Sequence, residues 1–482
     1  MIDRRLHDEL AAILGPAGIW AHPAERRTYE CDGLTTQRVI PGLVVLPRTT
    51  EEVAAVVRAC AAAGVPIVPR GAGSGLSAGA LPHPEGVLIG LARMRAIRAV
   101  DPADRQMTVQ AGVTTAEVNR AAAPHGLYYA PDPSSGIVCT LGGNVAENSG
   151  GAHCLKYGFT SNHVLALEVV LADGEVIHLG TAAPDPPGYD LRGALVGSEG
   201  TMGIVTEVTV RLLRRAEAVR TLVADFASPS AAGAAVSGLV AAGIVPAAVE
   251  MIDNLAIQAC EDAVGAGFSR SAGAVLIVEL DGVPGDVEAE FTAAGRICVE
   301  AGSTHLRVAA DADERALIWA GRKAAFAAIG RLSPNYVVQD GVIPRGRLPE
   351  VLDSIGRRSR EAGMRVANVF HAGDGNLHPL VLYDGSREGE QERAQRLSID
   401  IVELCVEYGG SISGEHGIGL EKACSMSRMF SRGDLEVMQR VRRAFDPADR
   451  CNPGKIFPTP GLCGERSYRA GPLEAEAGES RR

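Results

Sequence analysis

Two glycine-rich turns hold three of the chain's 11 histidines. In the first, Val366-Ala367-Asn368-Val369-Phe370-His371 reads as a strand, Ala372-Gly373-Asp374-Gly375-Asn376 as a turn, and Leu377-His378-Pro379-Leu380-Val381-Leu382 as the returning strand. A hairpin folded there brings His371 and His378 together, because both strands diverge from one turn. Two imidazoles meeting at a hairpin end make a divalent-metal pair. Asp374 suits the turn better than a ligand role. The second turn is Ser411-Ile412-Ser413-Gly414-Glu415-His416-Gly417-Ile418-Gly419. A single Glu-His pair between glycines is ordinary exposed surface; three histidines gathered in two such turns point to chemistry.

A different chemistry is written in three glycine loops of the N-terminal half. The first, Pro69-Arg70-Gly71-Ala72-Gly73-Ser74-Gly75-Leu76, directly follows a strand-like run. Closely spaced glycines let backbone N–H groups approach an anion and cradle it. The spacing is GxGxG, and Pro82 spoils a following helix, so this is not a Rossmann fingerprint. The second loop holds Pro133-Ser134-Ser135, then Gly142-Gly143 and Asn148-Ser149-Gly150-Gly151. The third is Gly197-Ser198-Glu199-Gly200-Thr201-Met202-Gly203-Ile204. A long phosphate-bearing ligand threaded between strands gives all three a common reason.

The elements that must position these loops are legible in outline. Residues 1–35 read as a helical lead-in. Leu43–Leu46 is a short strand, and Thr49 with Glu52 opens a helix in capping-box fashion. Val53, Val56, Val57 and Cys60 recur at helical spacing up to Gly64. Val65–Pro69 is the next strand, so a β-α-β unit runs into the first glycine loop. Strands are expected at Met107–Val109, Ala166–Leu171, Glu175–Leu179 and Ile204–Leu212, with a hairpin turn at Asp173-Gly174 and a helix over Thr115–Ala123. From about 216 the texture changes to strands such as Val219–Phe226 and Val275–Leu280 alternating with Ala-rich helices, a second α+β domain. The expected division is 1–215, 216–440 with the metal site, a C-terminal return over 441–463, and a polar disordered tail over 464–482.

Bulk composition excludes some classes. The chain has 482 residues and a net charge of -11, which argues against a nucleic-acid footprint. Ten cysteines are scattered without cluster spacing, so neither a disulfide framework nor an iron–sulfur site follows. No apolar h-region follows Met1-Ile2-Asp3-Arg4-Arg5, and the longest uncharged stretch, Phe226–Val249, reads as a helix entering a strand. A cytoplasmic protein without a membrane span is expected, with peripheral association on the inner membrane face left open.

The three loops, in this order, resemble the FAD-binding domain of the vanillyl-alcohol-oxidase/p-cresol-methylhydroxylase superfamily. The resemblance implies an α+β fold: a two-subdomain FAD-binding domain plus a cap domain with an antiparallel sheet covered by helices. It implies that loop 70–76 holds the FAD diphosphate and that loops 131–151 and 197–204 line the rest of the cofactor. Covalent members often carry a histidine within the first loop; Ser74 stands there, so non-covalent FAD is expected.

HAGDGNLH and SGEHGIG together resemble the FAD-linked 2-hydroxyacid dehydrogenases. By that resemblance His371, His378 and Glu415 bind a divalent metal, zinc by expectation, His416 is the base, and Asn376 contacts the substrate. Arg322, in Ile318-Trp319-Ala320-Gly321-Arg322-Lys323, falls where the family binds the substrate carboxylate, and guanidinium pairs bidentately with carboxylate. Asn452-Pro453-Gly454-Lys455 matches the segment that returns to the flavin. The resemblance spans roughly residues 25–458. It is nearest to the glycolate-oxidising members through Tyr29-Glu30-Cys31-Asp32-Gly33, Tyr128–Ser135 and Asp340-Gly341-Val342-Ile343-Pro344. The 2-hydroxyglutarate enzymes tend to carry a lysine before the Asp340 position, and Tyr336-Val337-Val338-Gln339 offers none. Oxidation of glycolate or D-lactate is therefore expected. D-2-hydroxyglutarate oxidation and a non-redox reaction of the alkyl-dihydroxyacetone-phosphate synthase type stay as alternatives. Electrons must leave to another acceptor; the resemblance offers a second flavin-domain subunit and an iron–sulfur subunit.

Overall fold

A computed structural model describes residues 2–183 and 187–459. The expected tail, 464–482, lies outside the described residues. The chain divides into two compact units. One comprises the chain up to Gly150, Gly158–Arg215 and the chain from Glu415; the other comprises Gly151–Tyr157 and Ala216–Gly414.

The first unit opens with helix Arg4–Leu14, a shorter lead-in than the sequence suggests, followed by the brief strand Ile19–Trp20 and helix Pro23–Arg27. Strands Leu43–Val45, Val87–Gly90 and Ile67–Arg70 form a parallel core, with Ile19–Trp20 added antiparallel at one edge. Helix Thr50–Ala62 packs Val53, Val56, Val57 and Cys60 into the core of this sheet. Its cap differs from a full capping box. Thr49 accepts the Glu52 N–H, but the Glu52 carboxylate reaches back one residue further, to the N–H of Arg48 at 2.6 Å.

A five-stranded antiparallel sheet follows, in the order Ile97–Asp101, Gln106–Gln110, Ile204–Arg211, Val164–Val170, Val176–Gly180. Strand Ile204–Arg211 alternates buried and half-exposed residues, and its buried Ile204, Val208 and Val210 face apolar packing. Such period-two burial fits a sheet with one face on the core. Asp173 closes the hairpin by accepting the Glu175 N–H.

The second unit is built on one antiparallel sheet of nine strands. Its path runs His305–Val308, Ala218–Phe226, Ala274–Gly282, Ala248–Asp253, Val366–His371, Asn376–Leu377, Gly341–Val342, and Pro379–Tyr383 joins Val366–His371 to Asn335–Val338. Apolar side chains leave both faces. Leu222, Phe226, Leu276 and Phe370 pack against helices Pro229–Ala241, Pro284–Glu300, Leu348–Ala362 and Glu390–Glu407. On the other face Val223, Ile252, Ile277 and Val369 pack against Asn254–Ala263 and Ala312–Ile329. Residues recurring two apart share a face, so Glu250, in register with His371 across the sheet, lies on the face covered by helix Ala312–Ile329.

The return to the first unit comes at Glu415 rather than at 441. The reason is local: the backbone N–H groups of Ile418 and Gly419 bond the Glu199 carboxylate, and those of Leu420 and Glu421 bond the Ser77 carbonyl.

Candidate functional site

In the first unit the strand Ile67–Arg70 delivers the first glycine loop. Pro69 and Arg70 end the strand, and Gly71, Ala72, Gly73, Ser74, Gly75 and Leu76 continue without regular structure. The backbone N–H groups of Ala72–Leu76 donate to no acceptor among the described residues. Backbone donors are obligatory hydrogen-bonding groups, and a run of them on a glycine loop is an anion cradle. A Cβ on Gly71 would collide with Thr140 Oγ1, the side chain that caps helix Leu141–Glu147 by accepting the Gly143 N–H. Arg70 takes a different part from that of a cradle donor. Its Nη1 and Nη2 donate to the carbonyls of Tyr29 and Cys31, while Asp32 accepts the N–H groups of Leu34 and Ala80. The Tyr29–Gly33 motif is thus a brace for the loop.

The other loops converge on the same helix. Asn148 ends Leu141–Glu147 in left-handed conformation, and the N–H groups of Gly197 and Glu199 dock onto the carbonyls of Val145 and Ala146. Asn452 Nδ2 donates at 2.7 Å to the carbonyls of both Gly79 and Glu199. Gly142 is buried at the helix start, Gly200, Gly203 and Ile204 are buried in the third loop, and Ser134 is exposed and Ser135 half-buried in the second. Gly150 ends the first stretch of this unit, and Gly151 begins the short segment that belongs to the other.

Glu199 is expected to line the cofactor, and its carboxylate is engaged by backbone N–H groups at the end of the Glu415–Gly419 turn. Oε1 accepts the Ile418 N–H at 2.6 Å and Oε2 the Gly419 N–H at 2.7 Å. Burial pushes this carboxyl up to about 7, against the lowering effect of those two N–H groups and of Lys422 and Lys455. Gly419 has φ +53°, and a Cβ there would collide with the Ser77 carbonyl. The turn that carries Glu415 and His416 is half-buried rather than exposed.

In the second unit the hairpin forms as expected. His371 pairs with Asn376 across its end, and Asp374 Oδ1 accepts the Asn376 N–H as a turn former. The imidazoles of His371 and His378 lie 5.1 Å apart between centroids, at 84°, and both are buried. The ring of Phe326 meets His378 edge-on at 6.1 Å. Asn376 is buried, and its side-chain oxygen accepts no hydrogen bond among the described residues. Asp340 is fully buried and accepts the Ser413 hydroxyl at 2.6 Å and the Gly414 N–H at 3.0 Å. Glu415 and His416 follow Gly414 directly in the chain.

Arg322 is buried on helix Ala312–Ile329, and part of its fork is already engaged. Its Nε donates to Glu250 Oε2 at 2.7 Å, and Nη2 lies 2.6 Å from the same oxygen. The other oxygen of Glu250 accepts from His371 Nδ1 at 2.7 Å. Nη1 of Arg322 bonds no other described residue. Sequence reasoning missed Glu250 altogether. Its signal was available: one carboxylate inside the apolar run Ala247-Ala248-Val249-Glu250-Met251-Ile252 must be buried, and buried charge requires partners. Asp253 closes the same strand by capping helix Asn254–Ala263 and accepting from Asn368, and burial pushes it up to about 6.

Comparison with known proteins agrees with this layout. Residues 41–180 match the FAD binding domain model, and residues 215–456 match the C-terminal domain of FAD linked oxidases. The chain is 51% identical over 437 residues to the glycolate oxidase subunit GlcD of Escherichia coli, covering 91% of this chain and 88% of that protein. It is 37% identical to the glycolate oxidase subunit GlcD of Bacillus subtilis, covering 95% and 97%. The solved structure of p-cresol methylhydroxylase with substrate bound superposes with a TM-score of 0.80 at 15% identity, covering 94% of this chain and 96% of that one. No helix among the described residues is long and apolar enough to cross a membrane. An FAD-binding α+β fold with a donor-lined glycine loop, joined in sequence to this cap, places the chain in the FAD-linked oxidase family, and it is an FAD-linked oxidoreductase.

Proposed function

We propose that the chain oxidises the CH–OH group of a small D-2-hydroxy acid, glycolate or D-lactate, to the 2-oxo acid, using non-covalent FAD and a divalent ion, zinc by its donor set. The observation that carries this reading is the buried cluster in which Glu250 holds both a guanidinium and an imidazole next to a second imidazole. The similarity to glycolate oxidase subunits supports the substrate class.

The residues fit both absent groups. The unpaired N–H groups of Ala72–Leu76 fit a diphosphate, and Ser74 offers no imidazole for attachment. His371 donates Nδ1–H to Glu250, the tautomer in which a neutral imidazole offers Nε2 as a metal ligand. His378 and Glu415 are the other ligands we propose, and imidazole nitrogen with carboxylate oxygen is the donor chemistry that zinc takes. FAD, when bound, supplies the acceptor for the hydride that leaves the substrate carbon. The divalent ion, when bound, supplies Lewis acidity that lowers the pKa of the substrate hydroxyl.

The remaining work belongs to side chains. Arg322 holds the substrate carboxylate through the Nη1 side of its fork. Asn376, with an unmatched buried oxygen, orients the substrate, since a buried acceptor without a donor is costly until a ligand supplies one. His416, neutral, takes the hydroxyl proton as general base. Glu199 holds the backbone just beyond His416. Electrons then pass to an acceptor outside this chain; the name of the Escherichia coli relative, a subunit, supports partner subunits, and a second flavin-domain subunit and an iron–sulfur subunit are the ones we propose.

A substrate panel with a dye acceptor tests the reading. Turnover of glycolate and D-lactate but not L-lactate is expected. Preference for D-2-hydroxyglutarate would contradict the small-substrate assignment, because the strand Asn335–Val338 and Gln339 supply no second cation.

A further inference from the structure

We propose that Glu250 is the positioning residue that sets metal affinity and substrate affinity together, by holding the His371 imidazole and the Arg322 guanidinium on the two oxygens of one buried carboxylate. This rests on the metal and substrate roles given to His371 and Arg322 above.

The strand Ala248–Asp253 fixes Glu250 opposite His371, and helix Ala312–Ile329 lays Arg322 over the same sheet face. Glu250 is fully buried, so water cannot replace either partner. Proton bookkeeping then determines the state of both. A carboxylate only accepts, and a guanidinium only donates. Nδ1 of His371 therefore carries a proton toward Glu250, the tautomer that puts the lone pair of a neutral ring on Nε2, and the ring is held by a 2.7 Å bond. The same carboxylate holds the Nε and Nη2 side of Arg322 and leaves Nη1 outside that pair. Carboxylate–imidazole pairs of this kind raise the basicity of a metal-binding ring and fix its tautomer.

A glutamine at this position cannot serve both partners. Its single oxygen accepts from Arg322 or from His371, and its NH2 then faces the other as a donor. Facing His371, it forces Nδ1 to accept and moves the proton to Nε2, the atom required by the metal. Facing Arg322, it sets donor against donor and swings the fork away.

The sheet contains its own control. Glu279 is also buried on a neighbouring strand and also ties this helix to the sheet, accepting from Trp319 Nε1 and from the Thr221 hydroxyl at 2.7 Å each. It touches neither His371 nor Arg322 in these bonds. Loss of a packing tie alone should act equally at both glutamates.

The test uses the full-length, FAD-loaded protein stripped of metal, with zinc added against a chromophoric chelator, and kcat and KM for glycolate measured at saturating zinc. Glu250→Gln is expected to weaken zinc binding by about 10–100-fold and to raise the glycolate KM, whereas Glu279→Gln is expected to lower the thermal midpoint while zinc affinity and KM stay within about twofold of wild type. Should Glu250→Gln fail to fold, Glu250→Asp keeps both acceptor oxygens on a shorter stem, and a clear loss of zinc affinity is expected there too. Zinc affinity unchanged in the Glu250 variants, or lost equally in Glu279→Gln, overturns the proposal while leaving the metal reading intact. A wild-type protein that takes up no zinc overturns the metal reading itself.

Discussion

His371 and His378 are brought ring to ring at 5.1 Å by the tight hairpin between strands Val366–His371 and Pro379–Tyr383. If they hold a metal, removing either leaves too few protein ligands for a tight site. His378→Ala is expected to lose its bound metal and at least about a hundredfold in turnover, the scale by which even outer partners of such ligands are felt, while retaining FAD. Elemental analysis and the visible flavin band check both parts. Full metal content with full turnover would remove His378 from the site.

His416 carries a different expectation. As a general base it contributes about 10²–10⁴-fold to the rate. His416→Ala is expected to lose that factor in kcat with FAD still bound and zinc affinity largely kept. Pre-steady-state reduction of the flavin under anaerobic conditions reads the chemical step directly, and near-normal reduction would assign the proton to another acceptor.

Gly71 is expected to be critical for the cofactor. An alanine there must push Thr140 off the start of helix Leu141–Glu147, and overpacking of this kind costs roughly 1–3 kcal/mol. Gly71→Ala is expected to purify with markedly less flavin per protein, measured by absorbance, and to regain colour only at high added FAD. Denaturing the wild type should release all of its flavin into solution; flavin that stays with the polypeptide would contradict non-covalent binding.

Much of this layout was legible because it is written in local sequence. The Thr49 cap, the Asp173-Gly174 hairpin and the alternation in Ile204–Arg211 each depend on a few adjacent residues. The hairpin carrying His371 and His378 was readable for the same reason. What escaped notice were partners set by register between distant strands. Glu250 meets His371 across 121 residues, and Glu199 reaches Gly419 across 220. No local pattern encodes which strand lies beside which. Even near neighbours mislead where a side chain has two acceptable partners, as with Glu52, which bonds the Arg48 N–H. Arg322 was placed by resemblance, but that half of its fork is bound to Glu250 follows only from the fold.

Glu199 makes stability depend on pH. Burial raises its carboxyl from 4.5 to about 7. A carboxyl raised on folding holds its proton more tightly in the folded state. Stability contributed by this group therefore falls as pH rises from 4.5 through about 7, and levels off above. Glu199→Gln removes that dependence. The thermal midpoint of wild type, taken relative to Glu199→Gln, is expected to decline across this window. A constant or rising difference would show that Glu199 is not protonated in the folded chain.

The most direct test of the central claim is anaerobic titration of the purified, metal-loaded protein, following the visible flavin band. Glycolate, D-lactate and L-lactate are added separately. The account expects glycolate and D-lactate to bleach the band and L-lactate to leave it unchanged. A yellow, metal-loaded protein that neither glycolate nor D-lactate bleaches would contradict it.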